Sequence, residues 1–168
     1  LAPPVFVDAL RRALGEPPAR DEAYPLLLVN KRRREAMNSW LNESPGLFRQ
    51  GKEIAVEVHP DDAEALGIVT GDTVRVVSRV GAIELPAEVT DAVRPGVVCI
   101  PHGWGGRVFD PVGGGAPQAF GANRNLLVDT ERVDPLSQTP AMNSTHVRLE
   151  PVAPAPAAAP AGAAAGEP

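Results

Sequence analysis

The sequence has one cysteine, Cys99. A single cysteine excludes an internal disulfide, and it excludes a cysteine-built zinc site or iron–sulfur cluster within these residues. The three histidines, His59, His102 and His146, form neither an HxH nor an HExxH pattern, so no zinc site is indicated. None has a Ser, Cys or Asp partner at a spacing that would mark a nucleophilic triad. Gly113-Gly114-Gly115 is not followed by Gly-Lys-Ser/Thr and is therefore not a phosphate loop. No window holds about 18 uninterrupted apolar residues, which leaves no membrane span. No signal peptide is recognisable at the start. These absences point to a cytoplasmic setting without direct membrane insertion; a periplasmic one stays open because a parent's N-terminus can lie outside the sequence. Positive charge is also short, with 16 Lys and Arg against 21 Asp and Glu. A net charge of −5 argues against a general nucleic-acid binder. No repeat of fixed period is visible.

What is present reads as one domain with two unlike flanks. Residues 1–22 are a proline-rich lead-in, expected to be partly ordered, with a short helical pattern over 5–14. Residues 23–150 carry the apolar patterning of a core. Residues 151–168 are almost uncharged and rich in Ala and Pro, and are expected to form a disordered tail. A start at Leu1 suits a fragment or a processed product.

Within the core region, residues 24–29 are continuously apolar and predict a buried strand, as do residues 97–100. Residues 54–59 and 73–79 predict two more. Residues 83–89 alternate, with Ile83, Leu85, Ala87 and Val89 on one face and Glu84 and Glu88 on the other. Pro86 inside that run predicts an edge strand or a bulge. Residues 126–128 and 146–149 are the last strand candidates. Between them, residues 60–67 predict a two-turn helix: Pro60 suits its first turn, Asp61 and Asp62 its positive end, and Gly67 its left-handed end. At least six short strands joined by tight glycine turns favour a small closed barrel, which removes sheet edges.

Three groups of residues carry chemistry. Lys31, Arg32, Arg33 and Arg34 follow the first strand, and an arginine there can offer a fork of donors to a phosphate; a solvated charged loop explains the same run. Pro101-His102-Gly103-Trp104-Gly105-Gly106 follows a buried strand. Its glycines let a ligand approach the backbone, and His102 and Trp104 offer a ring nitrogen and an aromatic face; a turn with one buried Trp accounts for it equally. Asn123, Asn125 and Asn143 carry carboxamides suited to the edges of a heterocycle, or to ordinary turns. Cys99, in an apolar run, reads as a small buried hydrophobe.

Four pieces in order resemble one family. They are Leu28-Val29-Asn30-Lys31-Arg32 with Met37-Asn38-Ser39-Trp40; His59-Pro60-Asp61-Asp62-Ala63 through Leu66-Gly67 and Gly71-Asp72; Arg94-Pro95-Gly96-Val97-Val98 into Pro101-His102-Gly103-Trp104-Gly105; and Asn123-Arg124-Asn125-Leu126-Leu127 with Asp134-Pro135-Leu136-Ser137 and Pro140-Ala141. Together they resemble the C-terminal molybdopterin dinucleotide-binding domain of molybdopterin-dependent oxidoreductases of the formate dehydrogenase and nitrate reductase type. The resemblance implies a mainly β fold, a six-stranded double-psi β-barrel with short helices. It implies binding of bis(molybdopterin guanine dinucleotide) carrying Mo or W. Any 4Fe-4S cluster and the metal's protein ligand would lie in preceding domains of the same parent chain, leaving this domain non-catalytic in isolation and without metal ligands. Carried over by position, the cofactor-binding residues are Arg32, Asn38, Ser39, His102, Gly103, Trp104, Asn123 and Asn125. Asn30-Lys31-Arg32 departs from the Thr-Gly-Arg that many relatives carry, which bears on the backbone path there. A second resemblance covers residues 59–100 alone: the double-psi barrel at the N-terminus of ATPase chaperones, a protein-interaction module that needs neither the 38–40 nor the 102–104 loop.

Overall fold

The computed structural model describes residues 2–16, 21–33, 36–42, 44, 54–105, 107–108, 118–119, 121–134, 136–140 and 142–152. Of the tail expected over 151–168, Pro151 ends the last strand and the Val152 N–H donates to the Thr73 carbonyl at 3.0 Å; residues 153–168, Arg34 and most of the loop 106–120 lie outside the described residues. In chain order the elements are α1 (Pro4–Gly15), β1 (Leu26–Lys31), β2 (Val56–Val58), α2 (Pro60–Leu66), β3 (Thr73–Val77), β4 (Ala82–Val89), β5 (Val97–Pro101), β6 (Arg107–Val108), β7 (Gln118–Ala119), a 3-10 turn (Arg124–Leu127) and β8 (Thr145–Pro151).

Six of the strands close into a barrel in the order β1-β5-β2-β4-β3-β8. Two pairings are parallel, β1 with β5 and β2 with β4; the others are antiparallel. This is the mainly β, closed barrel that the strand count and the resemblance predict. Its interior is filled by alternate residues of each strand, among them Leu28, Val56, Val74, Leu85, Ile100 and Val147, all in one apolar cluster. Burial of such side chains drives closure, at about 25 cal/mol per Å² of apolar surface.

The helix at 60–66 forms for the reasons its sequence gives. Asp61 and Asp62 stand in its first turn, and Gly67, at φ 68°, ends it in the left-handed region. His59 adds a cap: its Nδ1 accepts from the Asp61 backbone N–H at 3.2 Å. Asp62 also accepts from the Gly96 N–H at 2.7 Å, tying the helix to the turn that launches β5.

Two expectations change. Pro86 does not mark an edge. β4 pairs with β3 from residue 82 to 86 and with β2 from residue 87 onward, so Pro86 sits where one partner hands over to the other. The Ala87 N–H faces β3, donating to the Asp72 carbonyl at 2.8 Å. Successive N–H groups point to opposite sides, so the nitrogen of Pro86 faces the β2 side just ahead of the first pairing there, where no donor is needed. Residues 126–128 are not a strand either. The Asn123 carboxamide accepts from the Asn125 N–H at 3.1 Å, and the Asn123 carbonyl accepts from the Leu126 N–H at 3.1 Å, which winds the segment into a 3-10 turn. Leu127 still enters the core, fully buried.

On the outer face of the barrel, Val29, Cys99 and Glu57 stand in register across β1, β5 and β2. Lys31 donates to the Glu57 carboxylate. Cys99 is buried, as expected; burial first, and then Glu57 beside it, push its thiol up to about 11. Cys99 is therefore expected to resist a disulfide reagent at pH 8 in the folded protein and to react fully once denatured. Fast reaction without denaturant would contradict this. The sign of the linkage is also fixed. The unfolded thiol ionises near 9.0 and the folded one near 11, so stability falls as pH rises across that interval.

Candidate functional site

Three of the loops singled out in the sequence meet at the end of β5. His102, the first residue past that strand, sits between two carboxamides. Its Nδ1 lies 2.8 Å from Asn30 Oδ1, and its Nε2 lies 2.7 Å from Asn38 Oδ1. A neutral imidazole has one N–H and one lone pair, so the ring is satisfied when one carboxamide presents its NH₂ and the other its oxygen. Both ring nitrogens are thus engaged by the protein. The His102 backbone N–H also reaches the Lys31 carbonyl at 3.4 Å.

Asn38 can take part because the chain turns sharply beneath it. Met37 and Asn38 both have positive φ, 41° and 64°. Asparagine tolerates the left-handed region. Gly103, at φ 89°, lies against this turn, with the place of a Cβ taken by the Asn38 carbonyl group. The buried Asn42 donates to the Gly103 carbonyl at 2.7 Å. Two residues on, Gly105, at φ 83°, packs in the same way on the backbone of Ala122 and Asn123. The glycines of this loop therefore serve backbone-to-backbone contact: Gly103 closes on the 36–42 turn and Gly105 on the late loop.

The residues expected to bind fall into two groups. Asn38, His102 and Gly103 are in direct contact, and Asn123 joins them through Gly105. Ser39 belongs to the same turn and is exposed; Trp104 is half-buried, and its indole N–H is buried without a partner. Arg32 and Asn125 are exposed, and among the described residues neither side chain is committed to another group. Asn143 is exposed outside this cluster. The late motif Asp134 to Ser137 is a turn: the Asp134 carboxylate accepts from the Ser137 and Leu136 backbone N–H groups at 2.7 and 3.0 Å. Those bonds, with the Ser137 hydroxyl, hold its carboxyl below the ordinary value.

Two residues were missed as site residues. Asn30 stands on the inward face of β1, two places after Leu28 and in register with Ile100, and a carboxamide on that otherwise apolar face was the available signal. Asn42 had none, because its burial depends on a loop distant in sequence. The replacement of Gly by Lys31 leaves the strand regular, with Lys31 in register with Pro101.

The charge of the cluster is one-sided. Segments 30–33, 36–42, 102–105 and 121–125 contain Lys31, Arg32, Arg33 and Arg124 and no Asp or Glu, in a chain of net charge −5. Lys31 is paired with Glu57, outside these segments. Arg124 is buried, and burial lowers its pKa from the ordinary value. Guanidinium donors and carboxamides suit an anionic ligand with a polar heterocycle. Among the described residues, no group of three or more His, Cys, Asp or Glu could hold a metal ion.

The family described as molydopterin dinucleotide binding domain matches residues 26–146. The chain is similar to trimethylamine-N-oxide reductase 1 of Escherichia coli (strain K12), at 34% identity over 154 residues, covering 88% of this chain and 17% of that protein. It is similar to the periplasmic nitrate reductase of Desulfovibrio desulfuricans, at 35% over 107 residues, with 61% and 13% covered. It is also similar to the F420-dependent formate dehydrogenase subunit alpha of Methanocaldococcus jannaschii, at 29% over 141 residues, with 83% and 18% covered. Acetylene hydratase from Pelobacter acetylenicus shares the fold, with a TM-score of 0.64 at 22% identity over 77% of this chain and 18% of that one. The chain thus spans less than a fifth of the length of each of these proteins.

Proposed function

The chain belongs to the molydopterin dinucleotide binding domain family, and from that premise we propose that it anchors a pterin guanine dinucleotide carrying Mo or W inside a longer oxidoreductase. The observation that carries the proposal is the meeting of Asn30, Asn38, His102 and Gly103, with Gly105 seated on the backbone of Ala122 and Asn123. The chaperone-type interaction module is not favoured, because the family match runs through the 38–40 and 102–104 loops that such a module does not need.

When bound, the cofactor supplies two-electron exchange at its metal. The work of this chain is to bind and orient. Arg32 provides a free guanidinium fork for phosphate oxygens. Ser39, Asn123 and Asn125 offer neutral donors and acceptors for the hydroxyls and edges of the nucleoside and pterin. His102, held at both nitrogens, fixes the wall on which these groups stand, and Trp104 excludes water beside it. Preceding domains of the parent chain would supply the metal's protein ligand and any iron–sulfur cluster, since Cys99 is the single cysteine of this sequence and is buried. Neither nucleic acid nor membrane insertion enters this reading; among the described residues no helix is long and apolar enough to cross a membrane.

The full-length protein, purified without added cofactor, is expected to contain stoichiometric molybdenum or tungsten and to release guanine nucleotide on acid denaturation. Preparations lacking both, from cells able to make the cofactor, would sink the proposal.

A further inference from the structure

Arg124 is the largest fully buried side chain among the described residues, 1% exposed. An unpaired charge in a protein interior is costly, so a buried guanidinium ordinarily has a carboxylate and a full set of acceptors. Arg124 has one acceptor. Its Nη2 donates to the Met142 carbonyl at 2.7 Å, while Nε and Nη1 are buried with no partner. None of the ion pairs among the described residues includes it. The titratable group that bears on it is Cys99, whose thiol burial and Glu57 push up to about 11, so that it supplies no negative charge at neutral pH. Yet Arg124 occupies the 3-10 turn between Asn123 and Asn125, the turn that Gly105 seats against the His102 loop. A stable fold does not need an uncompensated cation at that point, since an apolar side chain would fill the space at lower cost.

We propose that Arg124 is an electrostatic positioning residue: a cation held inside the late turn with no counter-ion among the described residues, so that its field favours the anionic diphosphate of the ligand whose heterocycle Asn123 and Asn125 receive. This rests on the dinucleotide-binding reading above. Water screens exposed Arg32 strongly, whereas a desolvated charge is screened little and acts beyond contact distance. Arg124 need not touch the ligand, and its burial prevents it from doing so. It acts through its field and through the Met142 carbonyl that fixes the turn.

The proposal demands opposite signs from two measurements on the cofactor-free full-length protein. Arg124→Met removes the buried charge at similar volume and is expected to raise the thermal midpoint by a few degrees. The same variant is expected to weaken binding of GDP, the probe, on the order of tenfold, the scale of one unit charge acting through protein of effective dielectric about 20. Binding of guanosine, which lacks the diphosphate, stays unchanged. Arg124→Lys, which keeps the charge, recovers most of the GDP affinity. A lower midpoint or a failure to fold in Arg124→Met overturns the proposal, because Arg124 is then an ordinary structural contact. So do equal losses for GDP and guanosine, a lysine variant as weak as the methionine one, or unchanged GDP affinity in Arg124→Met. If the unmodified protein neither binds GDP nor carries pterin dinucleotide as purified, the family-based reading fails, and this inference with it. If it does both and Arg124→Met matches it, this inference alone fails.

Discussion

Gly103→Ala is expected to destabilise the domain by about 3–5 kcal/mol, a large share of the stability of a domain this size. Two costs add. Gly103 has φ 89°, where an L side chain is strained by about 1–3 kcal/mol. A Cβ there would also lie 2.6 Å from the Asn38 carbonyl carbon and 3.3 Å from the Ser39 nitrogen. Both are backbone atoms of a turn that already has two positive-φ residues, so they cannot yield as the tip of a long side chain would; overpacking of this kind costs about 1–3 kcal/mol more. Gly67→Ala is the control. Gly67 has φ 68° and open space at its Cβ position, so it should lose only about 1–2 kcal/mol from backbone strain. Denaturant unfolding of the two variants side by side gives the answer, and equal losses would show that the packing of Gly103 on the 36–42 turn does not exist in solution.

His102→Ala is expected to separate function from stability more sharply. The imidazole makes two side-chain hydrogen bonds, each contributing about 0.5–1.5 kcal/mol, so the domain should weaken by about 1–3 kcal/mol and still fold. The site should suffer more. Without the ring, Asn30 at the end of β1 and Asn38 on its left-handed turn lose their common partner, and the wall between the first and third loops is no longer held. Precise placement of binding groups is worth one to two orders of magnitude when lost. Metal and guanine nucleotide per chain in the purified full-length variant should therefore drop at least about tenfold. Normal content in a variant with a lower midpoint would mean that the ring is a structural strut without consequence for binding. Content lost in His102→Ala but kept in a variant where glutamine spans the same two carboxamides would support the bridge directly.

Much of this barrel was legible because its strands obey local rules. The alternation of Ile83, Leu85 and Ala87 against Glu84 gives β4, and Pro60, Asp61, Asp62 and Gly67 mark both ends of α2. The failures came where a local signal was overruled by something distant or polar. Pro86 reads as an edge or a bulge because a proline lacks a donor; the edge fails, since β4 switches there from β3 to β2, while Gly71 and Asp72 together oppose the neighbouring Ala87 as a bulge does. Leu126 and Leu127 read as a strand because they are apolar; the carboxamide and carbonyl of Asn123 wind them into a turn instead. The candidate site was half legible. The order of the motifs groups Asn38, His102, Gly103 and Asn123. It could not show that the two nitrogens of His102 meet Asn30 and Asn38, because those partners lie 72 and 64 residues earlier in the chain.

The strand order of the barrel also has a consequence for how the chain is made. β8, last in the sequence, lies between β1 and β3 and closes the ring. Until it leaves the ribosome, the other five strands can form only an open sheet with β1 and β3 as bare edges. Such edges invite pairing with other chains, and contacts as non-local as Leu26 with Val147 form slowly. The nascent domain therefore passes through a sticky stage that ends only with its final strand, and nonsense or frameshift changes ahead of Thr145 should yield aggregates, not a smaller soluble barrel.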